Sequence, residues 1–341
     1  MSFKNVSPGD SGAHAEAMSK QLTTTGGLEL ASGTCLTIPA IIAESGPQTV
    51  RRFVEFFTAE IPNRNTRAAY ARAMASFCAW CDKRQLQLET ITPVAIAAYL
   101  EQHSGSIPTR KQHLAAIRHL FDYLVTGNIL MVNPAQSVRG PKYVVKRGKT
   151  PVLSPRDARR LLESIDVSTI AGLRDRALLG VMFYSFARVG AVVAMNVEDY
   201  YANGKRWWFR LHEKGGKFHE VPAHHKVEHY MDAYITAVSI AGKKGEPLFR
   251  SLDRRGQLTE YRLIRQRVLE VIKRRARQAG LPADKVCCHT ARATGITAFL
   301  LNGGQLETAQ KIACHESPRT TSLYDRTSDA ISLEEIERVR F

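Results

Sequence analysis

Residues 289–324 read HTARATGITAFLLNGGQLETAQKIACHESPRTTSLY. His289 and Arg292 stand three residues apart at the start of an apolar helical pattern, so both side chains can point to one side of that helix. Gly303-Gly304 breaks the pattern, QLETAQKIA gives a second short helix, and His315 follows. Ser317-Pro318 then restarts the chain as a helix, with serine as cap and proline at the first helical position, which would set Tyr324 nearly two turns along it. The stretch therefore predicts a unit built of short helices that ends in polar residues able to do chemistry. A tyrosine in such a place ordinarily packs, and His-x-x-Arg arises by chance in many basic helices. The remainder of the chain has to decide between these readings.

Its totals point to a charged partner. The 341 residues suit about two domains, each able to bury its own core. Hydrophobic residues at 44% and charged residues at 23% are ordinary for a soluble globular protein. The balance of 48 Lys+Arg against 32 Asp+Glu, a net charge of +16, implies a polyanion, and nucleic acid is the polyanion it fits first. An anionic membrane fits less well, because no basic amphipathic anchor, lipidation signal, signal-peptide core or spanning apolar run is present. Six cysteines in a chain of this length make no disulfide framework, which matches a reducing cytoplasm. Cys78 and Cys81 form a CxxC, but Tyr70, Met74, Phe77 and Cys81 recur at the spacing of one buried helix face, so packing is the reading there.

Along the chain, residues 1–47 are rich in Gly, Ser and Thr and read as a flexible arm with one short ordered piece around LTIPAIIA. Residues 48–141 carry helical patterns in TVRRFVEFFTAEI, in NTRAAYARAMASFCAWCDKRQ capped by Asn65 or Thr66, in TPVAIAAYLEQH, and in PTRKQHLAAIRHLFDYLVTG. This is a small four-helix domain. Residues 142–150, KYVVKRGKT, hold four basic residues and no acid, as suits a linker that crosses a phosphate backbone or a plain solvated tether. Residues 151–341 open on a helix capped by Ser154 with Pro155 at its first position. Buried helices in RDRALLGVMFYSF and VGAVVAMNVEDY follow, then a hairpin around Gly215-Gly216 in RWWFRLHEKGGKFHEVPA. The rest, from HHKVEHYMDAYITAV through LTEYRLIRQRVLEVIKRRARQAG to LEEIERVR, reads as helix. The fold class is mainly α, in two domains, with one small β-sheet in the second.

Several familiar chemistries are not signalled. His225 and His229 lie four apart, but without the HExxH glutamate or a third ligand they read as a solvated helix face. No GxxxxGK[ST] or GxGxxG occurs, and no paired carboxylates suggest a two-metal site. Chemistry on an anion must then come from cations and hydrogen-bond donors. Arg188 lies between two apolar helices in YSFARVGAVV, where it should meet an acid or a ligand phosphate. Lys214 enters the Gly-Gly turn, where an ammonium can reach over a groove, with Lys217 across the turn as its rival.

The order Arg188, Lys214, His289-x-x-Arg292, His315, Tyr324 resembles that of the tyrosine recombinases of the lambda-integrase family. The likeness runs from about residue 48 to 341 and includes PVLSPRDARRLLES, EKGGKFHEVP, EPLF and H-x-S-x-x-T-T-x-x-Y. There are departures. Phe186-Ala187 replaces a common Gly-Leu pair, Ala191 stands where many members carry an acid three residues after the arginine, Cys314 replaces a usual Gly, and Arg326 a common His.

The resemblance implies a two-domain DNA clamp, with a core-DNA-binding domain at 48–141 and a catalytic domain at 151–341. It implies a site-specific recombinase that cuts and rejoins strands through a 3′-phosphotyrosyl bond to Tyr324. Arg188 and Arg292 would grip the phosphate, Lys214 would protonate the leaving oxygen, His289 would serve as acid/base and His315 as a donor. No metal, ATP or other cofactor is implied. The partners implied are double-stranded DNA with specific sites and three further copies of the chain, with SLEEIERVRF resembling the terminal helix that docks on a neighbour or packs in cis. Arg67, Arg72, Arg110 and Lys111 are the DNA contacts expected of the first domain, and Arg262, Arg265 and Arg267, on one basic helix, those of the second, although a solvated face explains any one of them as well. A type IB topoisomerase and a DNA-binding regulator without catalysis are the alternatives.

Overall fold

The computed structural model describes residues 28–29, 35–145, 148–213, 216, 218–325 and 337. The chain divides between Val144 and Val145 into two units, each with its own core.

Among its described residues the first unit holds a two-residue ladder of β1 (Leu28–Glu29) with β2 (Cys35–Leu36) and five α-helices: α1 (Ala40–Glu44), α2 (Pro47–Glu55), α3 (Arg64–Asp82), α4 (Pro93–Gln102) and α5 (Ile107–Thr126). The ordered piece expected around LTIPAIIA is α1. Helix α2 widens into a π-helical turn over Phe56–Glu60, which drives Phe53, Phe56 and Phe57 together in edge-on contacts about 5 Å between ring centres. Helix α3 starts earlier than its pattern suggests. The cap is Asn63, not Asn65 or Thr66, and its Oδ1 accepts the backbone N–H groups of Asn65 and Thr66 at 3.0 and 3.2 Å. Met74, Phe77, Cys78 and Cys81 line the buried face of α3 against Ile117, Phe121 and Leu124 of α5. Burial pushes the Cys81 thiol up to about 12, and the Cys78 thiol higher still, which leaves both as inert core residues.

The second unit begins with α6 (Pro155–Glu163), whose Ser154 cap accepts the Asp157 N–H at 3.0 Å. Helix α7 (Ile170–Tyr184) is buried along most of its length and runs through the core. The pattern VGAVVAMNVEDY yields only the six-residue α8 (Val189–Ala194), because the chain then turns through Val197–Asp199 into a strand. The hairpin is a three-stranded antiparallel sheet of β3 (Tyr200–Asn203), β4 (Arg206–His212) and β5 (Phe218–Pro222), with Phe209 opposite Val221 and Leu211 opposite His219. Helix α9 (His225–Val238) packs on α7, and Gly180 leaves the room there that Tyr230 occupies. A second hairpin, β6 (Arg250–Leu252) with β7 (Leu258–Arg262), replaces the helix expected to begin at Leu258. Helix α10 (Arg265–Gln278) starts only after it, followed by α11 (Cys288–Leu301), α12 (Leu306–Ile312) and α13 (Pro318–Ser322).

A buried acid ties α7 to α10. Asp175 is 0% exposed and its carboxylate meets Arg174 and Arg275 at 2.7 Å and Arg274 at 2.9 Å. With both oxygens paired, the desolvation of one carboxylate is offset by several charge-assisted bonds. No helix among the described residues is long and apolar enough to cross a membrane.

Candidate active site

The first guanidinium is delivered by a reversal of the chain. After α7, Phe186 adopts a left-handed conformation with φ +54°, and Arg188 becomes the N-terminal flanking residue of α8. That reversal turns the Phe186 carbonyl towards Arg292, whose Nη1 donates to it. The Phe186 ring goes the other way, into a small apolar cluster with Ile296, Leu300, Ala309 and Ala313. The Arg188 side chain is 34% exposed and its Nη1 donates to Glu213 Oε2 at 2.5 Å, while the Glu213 side chain is only 2% exposed.

The second guanidinium is buried outright. Arg292, one turn into α11, is 1% exposed and donates from Nη2 to the Ala313 carbonyl as well as from Nη1 to Phe186. Burial first, and the neighbouring Arg188 charge second, lower its pKa to about 10, so it stays cationic at neutral pH. His289 sits one turn before it. This residue has exposed surface, yet the protein around it, then Arg292 and Arg188, hold its imidazole below the usual range. Cys287 and Thr290 cap this helix start, with the Cys287 N–H donating to Thr290 Oγ1 at 3.1 Å.

Tyr324 lies just past α13, not along it. Helix α13 ends at Ser322, and the Tyr324 N–H donates to the Thr321 carbonyl at 2.9 Å. Thr297 Oγ1 donates to the Tyr324 carbonyl at 2.8 Å, and Gly148 N–H donates to the Leu323 carbonyl at 2.9 Å. The half-buried Tyr324 ring packs on the Phe186 cluster and lies parallel to His315, with centroids 5.8 Å apart and planes 7° from coplanar. His315 is buried, its Nδ1 2.9 Å from Thr321 Oγ1. Burial, followed by the charges of Arg292 and Arg188, pushes it down to about 3, so it is a neutral imidazole at working pH.

The structure thus brings Arg188, His289, Arg292, His315 and Tyr324 together. Lys214, Gly215 and Lys217 lie outside the described residues, as do Arg326 and all but Glu337 of the C-terminal segment expected to dock as a helix. Two residues were missed by reading the sequence. Glu213 is one; His219 on β5 is the other. Both His219 ring nitrogens are enclosed without a hydrogen-bond partner, the Lys311 backbone lies nearby, and burial lowers the imidazole below its usual range within the fields of Glu213, Arg292 and Arg188. Alternation in FHEVP puts His219 on the inward face with Val221, which is the signal that could have found it. No cluster of three or more His, Cys, Asp or Glu able to hold a metal ion occurs among the described residues.

Two departures share one physical feature. Phe186 and Cys314, each standing where a glycine is common, both have left-handed backbones, at φ +54° and +48°. A side chain in that region costs about 1–2 kcal/mol. Cys314→Gly should therefore raise stability by about 0.5–1 kcal/mol, the relief of strain being partly offset by the added freedom of the unfolded chain. Phe186→Gly should do the opposite, because it deletes a buried ring worth about 3–5 kcal/mol. Thermal unfolding of the two variants checks this; a Cys314→Gly variant less stable than wild type would refute the strain argument.

The model of the phage integrase family matches residues 151–330, and that of the phage integrase N-terminal SAM-like domain matches residues 50–128. The chain belongs to the phage integrase family. It is a tyrosine recombinase, an enzyme of DNA recombination, and the mainly helical fold expected from the helical patterns along the chain is the one observed. The tyrosine recombinase XerD of Pseudomonas aeruginosa is 27% identical over 272 residues, spanning 78% of this chain and 88% of that one. The fold also resembles XerH recombinase bound to its difH substrate before cleavage (TM-score 0.62, 20% identity, 80% of this chain and 78% of that one). A lambda integrase tetramer bound to a Holliday junction is similar in fold too (TM-score 0.60, 18% identity, 96% and 92%).

The basic residues expected to contact DNA divide into three groups. Arg72, Lys111 and Arg265 are exposed, as is Arg267, which pairs with Glu270 at 2.7 Å. Arg67 and Arg110 are half-buried and donate to the carbonyls of Ile61 and Gly105. Arg262 departs from expectation. It belongs to strand β7, not to the basic helix, and its guanidinium turns inward to the Val193 and Met195 carbonyls at 2.9 and 2.8 Å and to Asn196. That side chain fastens β7 to the end of α8 and is not free to reach a groove.

Proposed function

We propose that the recombinase exchanges strands at specific DNA sites through a 3′-phosphotyrosyl intermediate on Tyr324. The observation that carries this reading is the stacking of Tyr324 on neutral His315 beside two guanidiniums. Tyr324 Oη attacks phosphorus, the bond to the 5′-oxygen breaks, and a phosphotyrosyl ester forms with a free 5′-hydroxyl. His289 takes the phenolic proton and Lys214 supplies one to the leaving oxygen. Arg188 and Arg292 hold the charge that builds on the non-bridging oxygens, each donor being worth about 10²–10³ in rate. His315 Nδ1 lies 2.9 Å from Thr321 Oγ1; in the tautomer that accepts from this hydroxyl, the ring proton sits on Nε2, where it can be donated to the phosphate.

The ester keeps the energy of the broken bond, so a second hydroxyl can reverse it without ATP, and two fixed guanidiniums do the charge-holding a metal would otherwise supply. Exchange between two duplexes takes two cuts in each, hence four protomers; the tetrameric lambda integrase of similar fold supports this. The protein acts where the DNA lies, in the cytoplasm, with 48–141 and the catalytic unit both gripping the duplex through residues such as Arg72, Lys111 and Arg265. Affinity for duplex should fall by ~10³-fold or more between 50 and 200 mM salt, as counterion release requires for about six or more neutralised phosphates. A flat salt dependence refutes the grip.

The reading is tested by mixing the protein with DNA nicked next to candidate sites, in EDTA and without ATP. A protein-linked DNA band is expected. Its absence despite tight binding sinks the reading, and relaxation of a random-sequence plasmid would favour topoisomerase action instead.

A further inference from the structure

We propose that Glu213 is the residue that positions Arg188, a carboxylate at the end of β4 serving in place of an acid on α8. The inference rests on the reading of Arg188 as a phosphate ligand. Arg292 is fixed by two carbonyls, those of Phe186 and Ala313. Arg188, one-third exposed at the edge of the site, has the Glu213 carboxylate as the partner that sets its direction. One of its N–H groups is committed to that bond, and the remaining donors of the fork can face a phosphate.

The carboxylate is placed at a cost that packing alone does not explain. Glu213 is buried, and only Oε2 is bonded; Oε1 is enclosed with no hydrogen-bond partner. A buried acid with an unbonded oxygen is retained where its charge is needed. The cations whose fields cross it are Arg188, Arg292 and, when protonated, His219. Among the described residues Glu213 is the partner that holds Arg188, and without it Arg188 would face the buried Arg292 charge.

Position 191 shows why the acid has to come from the hairpin. In helix α8 a side chain there lies three residues on from Arg188 and shares its face, but the residue is Ala191, buried at 3%. The acid that meets Arg188 thus stands just past β4 and not on α8.

Single-turnover formation of the covalent adduct on nicked duplex, with DNA affinity and thermal unfolding measured alongside, tests this. Glu213→Gln keeps the shape and removes the charge, and should slow adduct formation by ~10–100-fold, the scale of a misplaced catalytic group, with affinity within about twofold of wild type. Adding Ala191→Asp to it should recover about tenfold, a rescue that a merely structural role for Glu213 would not give. Wild-type adduct formation by Glu213→Gln overturns the proposal, and so does a reduced rate that Ala191→Asp leaves unchanged. If Glu213→Gln does not fold, Glu213→Asp is read instead: its shorter reach should slow the adduct by roughly 3–10-fold, and full activity overturns the proposal. Arg188→Ala separates the two readings. If it forms adduct at the wild-type rate, the phosphate role of Arg188 fails; if it does not while Glu213→Gln does, only the role of Glu213 fails.

Discussion

Tyr324→Phe should bind its DNA with wild-type affinity and form no covalent adduct, the rate falling by at least ~10⁴-fold, as removal of a nucleophile does in other covalent enzymes. The structure explains why the defect should be confined to chemistry. The stack on His315 and the packing on the Phe186 cluster use the ring, which phenylalanine keeps. The bond from Thr297 goes to the backbone carbonyl of residue 324, and the one from its N–H goes to Thr321, so both survive the substitution. Only the hydroxyl is gone. Adduct formation by this variant in EDTA would mean that another residue attacks the phosphate.

Arg292→Ala should fail in two ways at once. Adduct formation should drop by ~10²–10³-fold, the effect of taking away one donor from an oxygen on which charge builds. Stability should fall by about 2–6 kcal/mol, because the carbonyls of Phe186 and Ala313 are left buried without a donor, each such group costing about 1–3 kcal/mol. Arg292→Lys separates these effects. A lysine keeps the charge but has no planar fork to span the two carbonyls, so it should restore part of the stability and little of the rate. Urea unfolding with the single-turnover assay reads both. An Arg292→Ala protein as stable as wild type would contradict the bonding described, and one as active would remove Arg292 from the mechanism.

Much of this architecture was legible in the sequence where short-range rules act alone. Ser154-Pro155 marks a helix start because cap and first-turn proline are local requirements, and Ser154 caps α6 as expected. His289 and Arg292 share one side of α11 because helical spacing dictates it. Legibility fails where tertiary contacts take over. LTEYR looks like the first turn of the basic helix that follows, but pairing with Arg250–Leu252 makes it a strand, and Arg262 is thereby turned inward. Asn63 outcompetes Asn65 as the cap because its side chain reaches two backbone N–H groups.

At the site, six residues could be ordered along the chain, yet neither Glu213 nor His219 stood out among them. Their significance arises from a sheet that sets them beside Arg188 and Arg292, partners that lie 25 residues or more away from Glu213 in sequence. The left-handed turns at Phe186 and Cys314 are invisible for a related reason. A glycine would have advertised them, and here the side chains hide what the backbone does.

The central claim is that Tyr324 carries the DNA. Mass spectrometry of the adduct trapped on nicked duplex, after digestion of both protein and DNA, tests it most directly. The predicted result is a single modified peptide with a 3′-phosphonucleotide on Tyr324. A nucleotide on any other side chain, or an adduct whose Tyr324 peptide is unmodified, would contradict it.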